Sequence, residues 1–455
     1  MKNAFLCFCC LSLAAGVALF AQEANQTLGT PPNHLHGGGK VVTPESGKEF
    51  PEDVGLRPHT NYKVFVPPGK DGNGFPDEEV RPDGTTSPTS TTSPVPGYYA
   101  ETPASLACLY RLVTPTTYCN PVGLSNSNDA TGGSRAIAVV DAYHYPTALG
   151  DLTAYSRKFG LPIPTSSTFT VTWAGSKPTP DPTCSMVNGW NCWATEAALD
   201  IEMAHTAAPH AHIYLVEAAT ANFDDLLAAI AKAATLVQAA GGGEISMSWG
   251  GSEFNTETSY DSRFNRSKVV MFASTGDQDG TQYPAVSPNV VAVGGTTITR
   301  APSTLDFEKE ITWEDGGGGF SEYEARPAYQ NSISKFTSRR AIPDVAADSN
   351  PRTGVWVYDS YQNTYGGTLE AWNILGGTSV ASPLWAGIVN HAGAFSSSSA
   401  SELWKIYSAG ANATSYAADY RDITYGTCGY YDGWFARQGW DPCTGFGAPT
   451  GQGGK

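Results

Sequence analysis

The chain has 455 residues, of which 15% are charged, and a formal net charge of -16. That acidic balance argues against nucleic acid or an anionic membrane as a partner. The length is enough to bury the core of one large domain or of two small ones.

In chain order, Met1-Lys2-Asn3 is followed by an apolar run from Ala4 to Phe20, with a small residue, Ala21, before a cut near Gln22. This pattern reads as a secretory signal peptide (1–21), too short to serve as a membrane span. The expectation is a secreted protein, extracellular or periplasmic, with no membrane association after signal removal. Cys7, Cys9 and Cys10 leave with the signal, and six cysteines remain. An even number in an exported chain suggests disulfides, and proximity favours Cys108–Cys119, Cys184–Cys192 and Cys428–Cys443. Residues 22–97 are rich in Pro, Gly, Thr and Ser and close on the tract Thr85 to Pro94. Such a composition buries little and reads as a linker or short pro-segment.

From Tyr98 the pattern becomes globular. Ala136 to Val140 reads as a strand, Trp193 to Thr206 as a helix and Ile213 to Val216 as a strand. Asn222 to Ala240 reads as a helix capped by Asn222 and stopped by Gly241-Gly242-Gly243. Glu244 to Trp249, Val269 to Ala273 and Val290 to Val293 read as further strands. Near-continuous apolar strands between helices indicate an α/β domain: a mostly parallel sheet with helices on both faces. Functional groups in such folds gather at the carboxyl ends of the strands.

Several residue groups carry candidate chemistry. Gly376-Gly377-Thr378-Ser379 precedes an apolar helical run, with Pro383 read as lying in the first turn. A serine there is either an ordinary helix cap or a nucleophile exposed at the positive end of a helix dipole. Asp141 with His205, His210 or His212 would complete a Ser-His-Asp set, but none of these histidines sits in the His-Gly-Thr context of a subtilisin histidine. Glu196 and Asp200 stand at i and i+4, on one helix face. If they face a site they repel and share a proton, which makes a workable base in acid. If they face solvent they are surface acids. Asp277 follows a strand in a Gly-Asp turn, either as a plain turn residue or as a protonated donor to an oxyanion.

Taken together and in order, Glu196-Ala197-Ala198-Leu199-Asp200, Ile245 to Gly250, Ala273 to Asp277, Tyr283 to Thr296 and Gly377-Thr378-Ser379 with Pro383 resemble the sedolisins, the serine-carboxyl peptidases. Val140 to Tyr143 and Phe159 to Pro162 resemble the same family, so the likeness runs from about residue 98 to 450. The resemblance implies a subtilisin-like fold and a single catalytic domain over 98–455. It implies that Ser379 is the nucleophile, Glu196 the base, Asp200 its orienting acid and Asp277 the oxyanion donor, with Trp249 lining the site. It also implies one calcium ion, with carboxylates from Asp422 and Asp441 and backbone carbonyls from Ile423, Arg437 and Gly439. The implied protein is a secreted, monomeric, acid-acting endopeptidase on protein or peptide substrates. The alternatives are a His-dependent subtilisin-like protease and a non-catalytic binding module on the same scaffold. One departure stands out: the family usually carries a long folded pro-domain, and here only residues 22–97 precede the catalytic part.

Overall fold

The computed structural model describes residues 39–66, 93–95, 98–116, 118–182, 192–333, 338–361, 371–429 and 433–455. The signal peptide and Cys184 lie outside these. Among the described residues, no helix is long and apolar enough to cross a membrane.

The main sheet has eight strands. Its parallel part runs β11 (Val291–Arg300), β9 (Val269–Ser274), β7 (Gly243–Met247), β4 (Ala136–Ala142), β6 (His212–Ala218) and β5 (Phe169–Trp173). β12 (Phe307–Thr312) closes one edge antiparallel to β11, and β15 (Val345–Asp348) pairs parallel with β11. β13 (Gly319–Ala325) and β14 (Arg339–Ile342) form a separate hairpin. β16 (Val355–Tyr358) and β17 (Trp372–Gly376) pair antiparallel.

Period-2 side-chain alternation divides the strands between two cores. Ile137 and Val139 of β4 point to one face, with Val270 and Phe272 of β9. Ala136, Ala138, Val140, Val269, Met271 and Ala273 point to the other. The first face is covered by α2 (Ala148–Phe159), α3 (Trp193–Ala207), α5 (Thr378–Ala392) and α6 (Ser399–Gly410), through residues such as Leu152, Leu199, Leu384 and Leu403. The second is covered by α4 (Phe223–Ala239), through Leu226, Ile230 and Val237. The expected mostly parallel sheet with helices on both faces is therefore present. α3 and α5 pack closely because Gly387 carries no side chain: a Cβ there would lie 2.6 Å from the Cβ of Ala207.

Three sequence expectations need correction. First, part of the 22–97 tract is folded into the core. β1 (Lys40–Val42) pairs with β3 (Lys63–Val66), which pairs in turn with β17. β2 (His59–Thr60) pairs with β8 (Trp249–Ser252). The apolar run Val64-Phe65-Val66 is fully buried, which outweighs the polar composition around it. Second, the strand expected from Glu244 to Trp249 breaks at Ser248, between β7 and β8, because the Ser248 carbonyl bonds to other groups in the site. Third, Pro383 lies in the second turn of α5, which begins at Thr378. Its missing N–H leaves the Ser379 carbonyl without its usual helical donor. The Ser248 hydroxyl donates to that carbonyl instead, at 3.4 Å.

The two disulfides with both cysteines described are Cys108–Cys119 and Cys428–Cys443, as proximity suggested. Cys192 is disulfide-bonded as well.

Candidate active site

At the carboxyl edge of the sheet, β17 turns through Gly377 into α5. Gly377 adopts φ 111°, ψ 161°, a conformation open to glycine. A Cβ on it would fall 2.2 Å from the Asn61 carbonyl oxygen and 2.5 Å from Oδ2 of Asp277. Ser379 is the second residue of α5, so its N–H has no intrahelical partner. That N–H donates to the Asn61 carbonyl at 3.0 Å. The Ser379 hydroxyl donates to the Ser248 carbonyl at 3.1 Å. Ser379 is fully buried.

Glu196 and Asp200 face this serine from α3. Both are fully buried, and none of their four carboxyl oxygens has a hydrogen-bond partner. Burial pushes the Glu196 carboxyl well above its ordinary range, and the neighbouring Asp200 and Asp141 charges push it further. The Ser379 hydroxyl is near enough to lower it, although that hydroxyl is turned to Ser248. Burial and the Asp141 charge raise Asp200 in the same way, against the Ser248 hydroxyl. Asp141 is the next-to-last residue of β4 and is itself buried without a hydrogen bond. Three like charges in one dry space cannot all be ionised, so the group retains protons. Asp141 was weighed from sequence only as the partner of a histidine; its place here is beside two acids.

Asp277 approaches from the loop after β9. Its Oδ1 accepts the Thr378 N–H at 2.7 Å and the Thr378 hydroxyl at 2.9 Å. Part of the residue reaches solvent, but Oδ2 is buried and has no partner. Burial raises this carboxyl to about 7, against the pull of the Lys63 charge. Oδ2 therefore carries a proton in acid and faces the same space as the Asn61 carbonyl oxygen.

No histidine bonds Ser379 among the described residues. His205 Nε2 meets the Pro162 carbonyl at 2.9 Å, and His212 Nε2 meets Thr170 Oγ1 at 2.9 Å. His210 is exposed. Trp249 is present but turned inward: its indole N–H donates to the Val140 carbonyl at 2.8 Å, and the ring lies in the second core. What Trp249 offers the site is its backbone, paired with Thr60.

The sequence reading missed Asn61. Its N–H donates to the Ser248 carbonyl at 3.2 Å, and its side-chain amide donates to Ser274 Oγ at 2.8 Å. Tyr62 donates its hydroxyl to the Cys192 carbonyl at 3.1 Å and lies in the field of Glu196. The run of apolar residues at 64–66 was the available signal that this tract folds back.

The two segments expected to hold calcium come together. The Gly439 N–H donates to both carboxyl oxygens of Asp422 at 3.2 Å, and the Arg437 N–H donates to Asp441 at 3.3 Å. Asp441 is fully buried, and burial raises it to about 7, so a nearby cation would relieve it. Among the described residues no cluster of three or more His, Cys, Asp or Glu side chains could hold a metal. Two carboxylates would thus need backbone carbonyls and water to complete a calcium shell, a donor set of hard oxygens that suits the ion.

The subtilase family profile matches residues 189–421. The sedolisin of Pseudomonas sp. (strain 101) is 35% identical over 188 residues, 38% of this chain and 30% of that protein. Kumamolisin of Bacillus sp. (strain MN-32) is 29% identical over 390 residues, 77% of this chain and 62% of that protein. The matches thus span less than two thirds of either relative's own length. Pseudomonas sedolisin, a serine-carboxyl proteinase solved with two molecules of pseudo-iodotyrostatin, superposes with a TM-score of 0.59 at 23% identity, over 77% of this chain and 95% of that one. That likeness supports a subtilisin-like fold. The chain belongs to the subtilase family.

Proposed function

We infer that this protein is an acid-acting serine-carboxyl endopeptidase. The observation that carries the reading is the buried carboxyl group around Ser379, with every described histidine engaged elsewhere or exposed. The Ser379 hydroxyl attacks a substrate carbonyl and its proton passes to Glu196. Asp200 holds Glu196 in place and shares its proton. The Ser379 N–H and the protonated Asp277 stabilise the oxyanion, and Glu196 returns the proton to the departing amine. Water then hydrolyses the ester by the same route. The backbone of Trp249 pairs with the substrate chain. Glu196 takes the serine proton only where the Glu196–Asp200–Asp141 group has given one up, while Asp277 must keep its own, which burial holds to about 7; activity is therefore lost as pH rises through that value.

We extend the reading to the setting of the enzyme. It acts after export, as a monomer, on proteins or peptides. One calcium ion would be held by Asp422, Asp441 and the carbonyls of Ile423, Arg437 and Gly439, where it would brace the loops tied by Cys428–Cys443.

The test is peptide hydrolysis across about pH 2 to 8, a span around carboxyl and imidazole values. The expected profile peaks in acid and is lost in Ser379→Ala. A peak near neutral pH that depends on His205, His210 or His212 would replace this mechanism with a histidine-based one. No cleavage at any pH would favour a binding module.

A further inference from the structure

Asn61 lies in the Ser379 cleft in the pose of a residue that presents its carbonyl to the nucleophile. Its N–H donates to the Ser248 carbonyl at 3.2 Å, and its carbonyl accepts the Ser379 N–H at 3.0 Å. Before it, His59 and Thr60 pair antiparallel with Gly250 and Trp249. A substrate residue held by the same backbone bonds must place its side chain in the slot that the Asn61 side chain fills. The chemistry of that slot therefore bears on which peptide bonds the enzyme can cut.

One wall of the slot is the run from Ser248 to Gly251, and the other is the turn from Ser274 to Asp277. Asn61 is fully buried, and its side-chain amide donates to Ser274 Oγ at 2.8 Å. Ser274 is fully buried too, and its hydroxyl has no other hydrogen-bond partner among the described residues. Two residues further along each wall the slot is crossed by Gln282, from β10 (Gln282–Tyr283), which pairs antiparallel with β8. A Cβ on Gly250 would lie 2.7 Å from Gln282 Oε1, and one on Gly276 would lie 2.6 Å from Gln282 Cδ. Gln282 is buried, and its Oε1, like Oδ1 of Asn61, is an acceptor without a partner among the described residues. The slot is thus short and polar. An apolar side chain the size of asparagine would leave the Ser274 hydroxyl buried and unsatisfied, and a longer one would meet the Gln282 amide.

We propose that Ser274 and Gln282 are the specificity residues of this enzyme and that its preferred substrates are peptides cut on the carboxyl side of asparagine. Ser274 recognises the side-chain amide through its hydroxyl. Gln282 sets the depth of the slot and excludes aromatic and long side chains. The inference rests on the serine-peptidase reading above and adds the substrate class to it. Leucine is the telling comparison, because it matches asparagine in size and branching but has no group to bond the hydroxyl.

The experiment uses the purified full chain at about pH 4, near the ordinary carboxyl range. The probes are peptides identical except at one position, which carries Asn, Leu or Phe, and mass spectrometry of the products locates the cut. The expected result is cleavage after Asn, with kcat/KM about 10- to 100-fold above that for Leu, the rate equivalent of leaving one buried hydroxyl unsatisfied. Phe should be cut more slowly than either. In Ser274→Ala the Asn-to-Leu ratio should collapse toward unity. In Gln282→Ala the Phe-to-Asn ratio should rise about 10-fold or more. Leu cut as well as Asn by the wild-type enzyme overturns the inference and leaves the proposed function standing. A Ser274→Ala chain that slows on all three peptides alike, with the ratio kept, overturns the assignment of Ser274, since a merely structural role would act that way. An unchanged Phe-to-Asn ratio in Gln282→Ala overturns the assignment of Gln282. A chain that cuts none of the peptides from acid to neutral pH overturns the proposed function and this inference together.

Discussion

At the scale of single residues, the acid work is divided between two environments. Glu196 and Asp200 are dry and crowded by Asp141, whereas Asp277 is anchored through Oδ1 and leaves Oδ2 free. The alkaline limb of activity should therefore follow the Asp277 proton, lost near pH 7. Asp277→Asn keeps a donor at every pH. It should retain part of the activity, with kcat reduced about 10²- to 10³-fold or less, and its alkaline limb should move upward. Steady-state rates from acid to neutral pH measure this, and an unmoved limb would remove Asp277 from the role. Ser248→Ala strips the donor from the Ser379 carbonyl that Pro383 leaves unserved. A loss of about 1 kcal/mol of stability is expected in denaturant titration. The residues Ser379, Glu196, Asp200 and Asp277 were legible in the sequence because each sits in a short, ordered motif. Asn61 was not legible, because its role depends on a strand pairing across some 190 positions, and the polar residues around it hide the short apolar run that anchors it.

At the scale of elements, the site depends on how closely α5 approaches α3. Ser379 is carried by one helix and Glu196 by the other, and Gly387 sets their separation. Gly387→Ala places a methyl 2.6 Å from the Ala207 Cβ, with backbone at 3.1 Å behind it. The helices must move apart, at a cost of about 1–3 kcal/mol. Activity should fall more than the folded fraction does, since Ser379 moves away from Glu196, its proposed base; paired measurements of kcat and denaturant midpoint separate the two effects. The helices and parallel strands were legible because buried strands in such sheets are continuous apolar runs bounded by Gly and polar turns. The break at Ser248 was not, since the alternating segment Glu244 to Trp249 does not reveal that one carbonyl is claimed by Asn61 and Ser379.

At the scale of the whole molecule, buried acids tie the fold to low pH. Burial raises Glu196, Asp200, Asp141, Glu244 and Asp348 well above their ordinary range, and Asp129 and Asp277 to about 7. A carboxyl with a raised native value binds its proton more tightly when folded. Its stabilisation is complete below the unfolded value, about 4, and is lost as pH rises through the native value. His205, lowered to about 4 by burial, works the other way and costs stability as pH falls below its ordinary value of 6.5. Burial lowers His59, His212 and His391 as well, but four histidines stand against the seven acids named above, so Tm should fall by roughly 5 °C or more from pH 4.5 to pH 8. A Tm that rises over that interval would show that these acids are not neutral in the native state. If calcium occupies the Asp422–Asp441 loops, chelation should lower Tm by RT ln(1 + [L]/Kd) in free-energy terms, about 2.7 kcal/mol at a hundredfold excess over Kd. Calorimetry with and without a chelator reads it directly, and an unchanged Tm would argue against the ion.

β3 pairs with β17, whose end turns into the helix that carries Ser379. Local opening of the amino-proximal segment is therefore felt at the Ser379 turn, and amide exchange at residues 63–66 should rise and fall together with that at residues 374–376.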